Sequence, residues 1–161
     1  MTEPLWIAAD EALAINRMLV AQFGGLDAGV RDENLFQAAL GRPLNKWHYD
    51  EPKPDHFALA AAYAFGLAKG HVFHDGNKRA AYVVAVTFLA VNGVVCSPAQ
   101  ADIVDAMVAL ADGSLSEDGI AARFRKNASR PTGLAEAAAA PLRKPSPRPK
   151  RSRTRARTSA A

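Results

Sequence analysis

Cysteine is almost absent: Cys96 stands alone in 161 residues, so no internal disulfide can form, which suits a reducing compartment. Alternation of apolar and polar residues is missing too, as are repeats and heptad runs, which points away from sheet proteins, solenoids and coiled coils. No apolar run is long enough for a membrane: Ala80–Val91 has twelve residues, against the roughly 20 that a bilayer-spanning helix needs. Basic residues are missing from Met1–Pro4, and the Leu5–Ala9 apolar patch is too short for a secretory signal. The expectation is a soluble, cytoplasmic protein with no membrane contact.

Acid is scarce at one end only. Residues 129–161 carry nine Lys/Arg and a single acid, Glu136, for a net +8, which leaves residues 1–128 at −4. The high isoelectric point therefore belongs to the tail and not to the body. That tail also lacks aromatics and holds five prolines, so it cannot bury a core. It is expected to be disordered, with at most a helical turn around Leu134–Ala140. Either it is a solvated extension, or it makes weak electrostatic contact with nucleic acid or another acidic surface.

What is there reads as helix. Asp10 can cap "EALAINRMLVAQF", with Leu13, Ile15, Met18, Leu19 and Phe23 as its apolar stripe and Gly24-Gly25 as its stop. Asp32 begins a short helix with Leu35, Phe36, Ala39 and Leu40 inward, ended by Gly41 and Pro43. "KWHYDEPKP" reads as a connector whose Trp47, His48 and Tyr49 are expected to pack against the central helix, the alternative being a target-binding lip. Pro54-Asp55 opens "HFALAAAYAFGLAKG", apolar almost all round and so central and buried. The valine-containing run after Asn77 is too long for a strand and ends at Asn92-Gly93. Ser97-Pro98 and Ser116 start the last two helices. The fold expected is all-α, a compact bundle of about six helices in residues 1–128, with a disordered basic tail in 129–161.

Polar chemistry crowds into "HVFHDGNKR", His71–Arg79, between the two most apolar helices. Gly76-Asn77 lies where the second of them begins, so free N–H groups and the positive dipole end face the loop, as in phosphate sites. Asn77 adds an amide, Lys78 a mobile charge, and Arg79 a planar fork that can grip two oxygens. Asp75 offers the hard oxygen that Mg²⁺ accepts, and His71 suits proton removal near neutrality. Phe73 could peg the loop into the core. Taken singly, these residues read better as a helix cap and solvated charges, which are common. Together they suggest phosphoryl or nucleotidyl transfer from a nucleoside triphosphate.

The same nine residues resemble the signature H-x-F-x-D-[AG]-N-K-R of the Doc (death-on-curing) branch of the Fic superfamily. "GGLDAGVRDENLFQAALGRP", "AAAYAFGLAKGH" and "FLAVNG" resemble that family's flanking blocks, in the right order, over about residues 5–126. The resemblance implies the Fic-like fold and a toxin kinase of a type II toxin–antitoxin system. Such an enzyme passes the γ-phosphoryl group of ATP, with Mg²⁺, to a threonine of elongation factor Tu and stalls translation. It also implies a Phd-type antitoxin as partner. By resemblance His71 is the general base and Asp75 the metal ligand. Gly76, Asn77, Lys78 and Arg79 hold phosphates, Lys69 is a further phosphate contact, and Phe73 anchors the loop. His74 receives no role, and Asn16 stands where many members have histidine, a position not expected to be catalytic. Adenylyl-transferring Fic proteins instead carry glycine at the place of Lys78 and arginine at that of Tyr82. AMP transfer is the alternative activity. "SLSEDG" (Ser114–Gly119) nearly matches an inhibitory motif of the superfamily, but Ser116 and its acids explain it as a helix start. A more distant alternative reads His74-Asp75 as the dipeptide of an HD phosphohydrolase, with His56 or His71 and Asp102 or Asp105. A nucleic-acid module worked by the tail is a third.

Overall fold

The computed structural model describes residues 2–97 and 99–129. Within them six helices run in chain order: α1 (Ala9–Phe23), α2 (Glu33–Tyr49), α3 (His56–Gly70), α4 (Asn77–Val91), α5 (Gln100–Asp112) and α6 (Glu117–Lys126). The expected all-α bundle is therefore observed. None of these helices is long and apolar enough to cross a membrane. The tail expected from residue 129, with its helical turn, lies beyond Ser129 outside the described residues.

The bundle is built around α3. Leu59–Ala64, Leu67 and Ala68 are buried, and the helix packs against α2, α4, α5 and α6. Its small residues let neighbours come close. A Cβ at Gly66 would stand 3.0 Å from the Cα of Ala39 on α2 and 3.2 Å from its carbonyl oxygen. That carbonyl is the one the amide of residue 43 would normally take, and Pro43 has no N–H to offer.

Here the structure corrects the sequence reading, because α2 is not short. It runs through Gly41 and Pro43 to Tyr49. Phe36, Leu40, Pro43 and Trp47 fall on one face and are buried, and their burial outweighs the lost hydrogen bond. Leu35, expected inside, is exposed. Lys46–Tyr49 are helix and not connector, and of their aromatics only Trp47 is buried, edge-on to Trp6. His48 and Tyr49 are exposed.

The helix starts follow two patterns. Asp32, Asp55 and Ser116 cap as expected, accepting from the amides of Leu35 (3.0 Å), Ala58 (2.8 Å) and Gly119 (3.0 Å). Ser116 thereby accounts for "SLSEDG". Asp10 does not cap: it lies inside the first turn of α1, whose N-cap is Ala8, and the Glu11 carboxylate takes the Ala8 N–H at 2.7 Å. The start expected at Ser97-Pro98 falls at Ala99, which has no side-chain cap. The inward face of α1 is Ala12, Asn16 and Leu19, while Met18 and Phe23 are more than half exposed.

A two-stranded ribbon was not foreseen. β1 (Val95–Cys96) pairs antiparallel with β2 (Ala128–Ser129), Val95 opposite Ser129. At two residues each, neither strand can display a period of two.

The N-terminal segment is stapled to the end of α4. Asn92 accepts from the Leu5 N–H (2.8 Å) and donates to the Leu5 carbonyl (2.9 Å), and Trp6 stacks on Phe88. Deeper in, the Tyr63 hydroxyl accepts the Ile7 N–H at 3.1 Å. Tyr63→Phe leaves that buried N–H unpaired and should cost about 1–3 kcal/mol in denaturant unfolding at pH 7. Burial pushes the Tyr63 hydroxyl up to about 12, whereas an unfolded tyrosine ionises near 10. This contribution is full below pH 10 and is lost as pH rises towards 12. Wild-type stability should fall more steeply across that window than that of Tyr63→Phe.

Candidate active site

The loop between α3 and α4 is held by backbone before any side chain is free to act. His71, the C-cap of α3, sits in the left-handed region (φ 45°, ψ 49°) and is the one non-glycine residue with positive φ among the described residues. Such a conformation costs on the order of 1 kcal/mol and persists because its surroundings fix it. Arg31 Nε donates to the His71 carbonyl at 2.8 Å. Residues 29–32 then run antiparallel to 71–74. The Arg31 N–H donates to the Val72 carbonyl (2.8 Å), the His74 N–H to the Gly29 carbonyl (3.0 Å), and Val30 stands opposite Phe73.

Phe73 is buried against Phe36, with ring centroids 5.3 Å apart. Its backbone is clasped by Asn77, whose Oδ1 accepts the Phe73 N–H and whose Nδ2 donates to the Phe73 carbonyl, both at 2.9 Å. The Asn77 carboxamide is thus spent largely on the loop itself, with one N–H left over.

Asp75 is partly buried and doubly engaged. Its Oδ1 accepts the Gly76 N–H (2.6 Å) and its Oδ2 the Leu26 N–H (3.2 Å). Gly25 permits this approach, since a Cβ there would lie 2.7 Å from Asp75 Oδ2. One lone-pair direction remains on each oxygen, which fits the usual way Mg²⁺ is held, by one or two carboxylates together with substrate phosphates.

The start of α4 breaks the rules the other helices keep. Its N-cap is Gly76 (φ 73°), no side chain caps it, and its first turn contains no acid. Every other helix has an acid in its first turn or an aspartate cap. Instead, two exposed cations, Lys78 and Arg79, stand at the positive end of the helix dipole, where charge of that sign is disfavoured. The first amides of a helix have no intrahelical acceptor. This end is therefore poor for stability and well suited to an anion.

The remaining residues are placed as follows. The Arg79 guanidinium lies 5.1 Å above the Phe23 ring at the end of α1. Both His71 and His74 are exposed, and neither imidazole has a hydrogen-bond partner among the described residues. Lys69 makes no hydrogen bond to the loop. Its ammonium sits over Phe65 (5.4 Å) and beside Gly113, the C-cap of α5. Among the described residues no group of three or more His, Cys, Asp or Glu could hold a metal ion, so the ligand set of an HD phosphohydrolase is not assembled.

Sequence reasoning missed two residues that build this site. Arg31 stands in a flanking block that resembles the family's, but its role was not legible, because its reach to His71 depends on tertiary pairing. Asn16 did give a signal: it interrupts the buried face Ala12–Asn16–Leu19 of α1 with an amide, and a buried amide needs partners.

Asn77→Ala frees the N–H and C=O of buried Phe73 and should destabilise the fold by about 1–3 kcal/mol in urea titration without ligand. A side chain serving ligand alone would leave the midpoint unmoved.

A model of the Fic/DOC family matches residues 6–89. Over 122 residues the chain is 34% identical to the protein kinase doc of Escherichia phage P1, covering 74% of this chain and 93% of that protein. Over 72 residues it is 43% identical to the toxin Doc of Mycolicibacterium smegmatis, covering 45% of this chain and 55% of that protein.

Proposed function

The chain belongs to the Fic/DOC family, and from that premise we propose that it is the toxin of a type II toxin–antitoxin pair, acting as a kinase. It passes the γ-phosphoryl group of ATP to a threonine hydroxyl of elongation factor Tu, which inhibits translation, and a Phd-type antitoxin restrains it. The observation that carries this reading is the uncapped start of α4, with Lys78 and Arg79 where other helices place acids. A triphosphate supplies the missing negative charge.

In this reading His71 takes the proton of the attacking hydroxyl as general base. The hydroxyl oxygen bonds to the γ-phosphorus, the bond to the β–γ bridging oxygen breaks, and ADP leaves with that electron pair. Lys78 and Arg79 neutralise phosphate oxygens, joined by the Gly76 amide and the spare Asn77 N–H. Mg²⁺, when bound at Asp75, supplies charge neutralisation for the phosphates. Lys69, packed over Phe65, serves at most the outer edge of the site. Residues 1–128 form the catalytic body, and the basic segment that follows contributes no group to the chemistry.

Two positions favour phosphoryl over adenylyl transfer. Lys78 puts bulk and charge where the AMP-transferring pattern has glycine. Tyr82, in place of a pyrophosphate-gripping arginine, lines a small cavity with Ile103, Met107 and Phe124 of α5 and α6.

Label from γ-labelled ATP should reach elongation factor Tu when the full chain and Mg²⁺ are present. His71→Ala should reduce that rate by 10²-fold or more. Transfer of α-label, or undiminished γ-transfer by His71→Ala, would overturn the assignment.

A further inference from the structure

Asn16 is the one buried carboxamide among the described residues, with no exposed surface, and both ends of its amide are in use. Nδ2 donates to the Asp75 carbonyl at 2.8 Å, and Oδ1 accepts the Gly29 N–H at 3.0 Å. Neither partner is a side chain, so the amide reads the backbone of two loops at once.

The bond to Asp75 has a geometric consequence. The Asp75–Gly76 peptide is trans, and in a trans peptide the C=O and the following N–H point in opposite directions. With the Asp75 carbonyl drawn inward to Asn16, the Gly76 N–H must point the opposite way, away from Asn16. Glycine at 76 (φ 73°) would otherwise tolerate either orientation of this peptide. That N–H holds an anionic oxygen, Asp75 Oδ1 at 2.6 Å, which a bound phosphate oxygen has to share or displace.

We propose that Asn16 is a positioning residue, which locks the Asp75–Gly76 peptide so that the Gly76 N–H is aimed at the phosphate oxygen bound at the start of α4. Its second bond, to Gly29, ties that orientation to the segment pairing with residues 71–74. Donor and acceptor are both required, which an amide supplies and an isosteric aliphatic side chain does not. This inference rests on the phosphate-binding reading above.

The test uses full-length protein, inorganic pyrophosphate as probe, and the Gly76 amide resonance as reporter. In wild type, pyrophosphate should move the Gly76 resonance. Asn16→Leu, which removes the donor without adding charge, should weaken pyrophosphate binding about tenfold, as expected for loss of a charge-assisted hydrogen bond, and abolish the Gly76 response. Asn16→His, whose neutral ring also offers one donor and one acceptor, should retain the response, with affinity within about threefold of wild type. A full Gly76 response in Asn16→Leu overturns the positioning role alone. So does a folded Asn16→His that has lost the response. Absence of any Gly76 shift in wild type overturns the phosphate reading and this inference with it.

Discussion

The positive end of α4 is left uncancelled by its own first turn, and the surrounding structure has to hold it in that state. A helix start with neither cap nor acid loses contributions worth roughly 0.5–2 kcal/mol, and two cations beside it add an unfavourable term of about 0.3–1 kcal/mol each. The left-handed His71 adds strain of similar size. Such an end stays formed only if something other than its own first turn holds it. The buried length of α4 does so, with Ala80, Ala81, Val84, Ala85, Phe88 and Leu89 packed on the central helix.

The loop is fixed by a division of labour between backbone and side chain. Asn77 faces backwards to clasp Phe73, so the first residue of α4 determines the shape of the segment before it. Phe73 is thereby held at both its ring and its peptide groups. The strand-like pairing with residues 29–32 supports the opposite side, and Asn16 joins the two supports from beneath. These bonds are made without drawing on Lys78, Arg79 or the His71 ring. The groups to which the proposed reaction assigns a role are among those the fold leaves unengaged.

This also explains which parts were legible in the sequence. Helix starts with an aspartate or serine cap could be read because cap and amide lie three residues apart, as at Asp32, Asp55 and Ser116. The apolar run of α3 marked the centre for the same reason, since burial on every face leaves no polar stripe. The end of α2 could not be read. Gly41 and Pro43 are local stop signals, and the helix passes them because Pro43 and Trp47 complete a buried face that exists only once α3 is alongside. The stripe of α1 departs from its apolar pattern, because size does not decide which residue turns inward. Met18 and Phe23 face out, and the buried place belongs to an asparagine. Loop residues were legible as chemistry but not as geometry. Letters alone give Asn77 and Gly76 free donors, whereas folding has already assigned most of that capacity to Phe73 and Asp75.

Exposed Phe23 makes sense in the same terms. Arg79 finds no carboxylate in the first turn of its own helix, so nothing there cancels the dipole end. Its guanidinium lies instead over the Phe23 ring, a partner that orients a cation without neutralising it. Lys78 acts at a distance on the other side. The Asp112 carboxyl is held below its ordinary range chiefly by its hydrogen bonds from Ser114, and the Lys78 charge adds to that. A direct ion pair at either residue would have steadied the fold and weakened the attraction for an incoming anion. The cations are therefore flanked by an aromatic face from α1 and a carboxylate from the end of α5 that has its own hydrogen bonds. That arrangement preserves their field where the helix dipole adds to it.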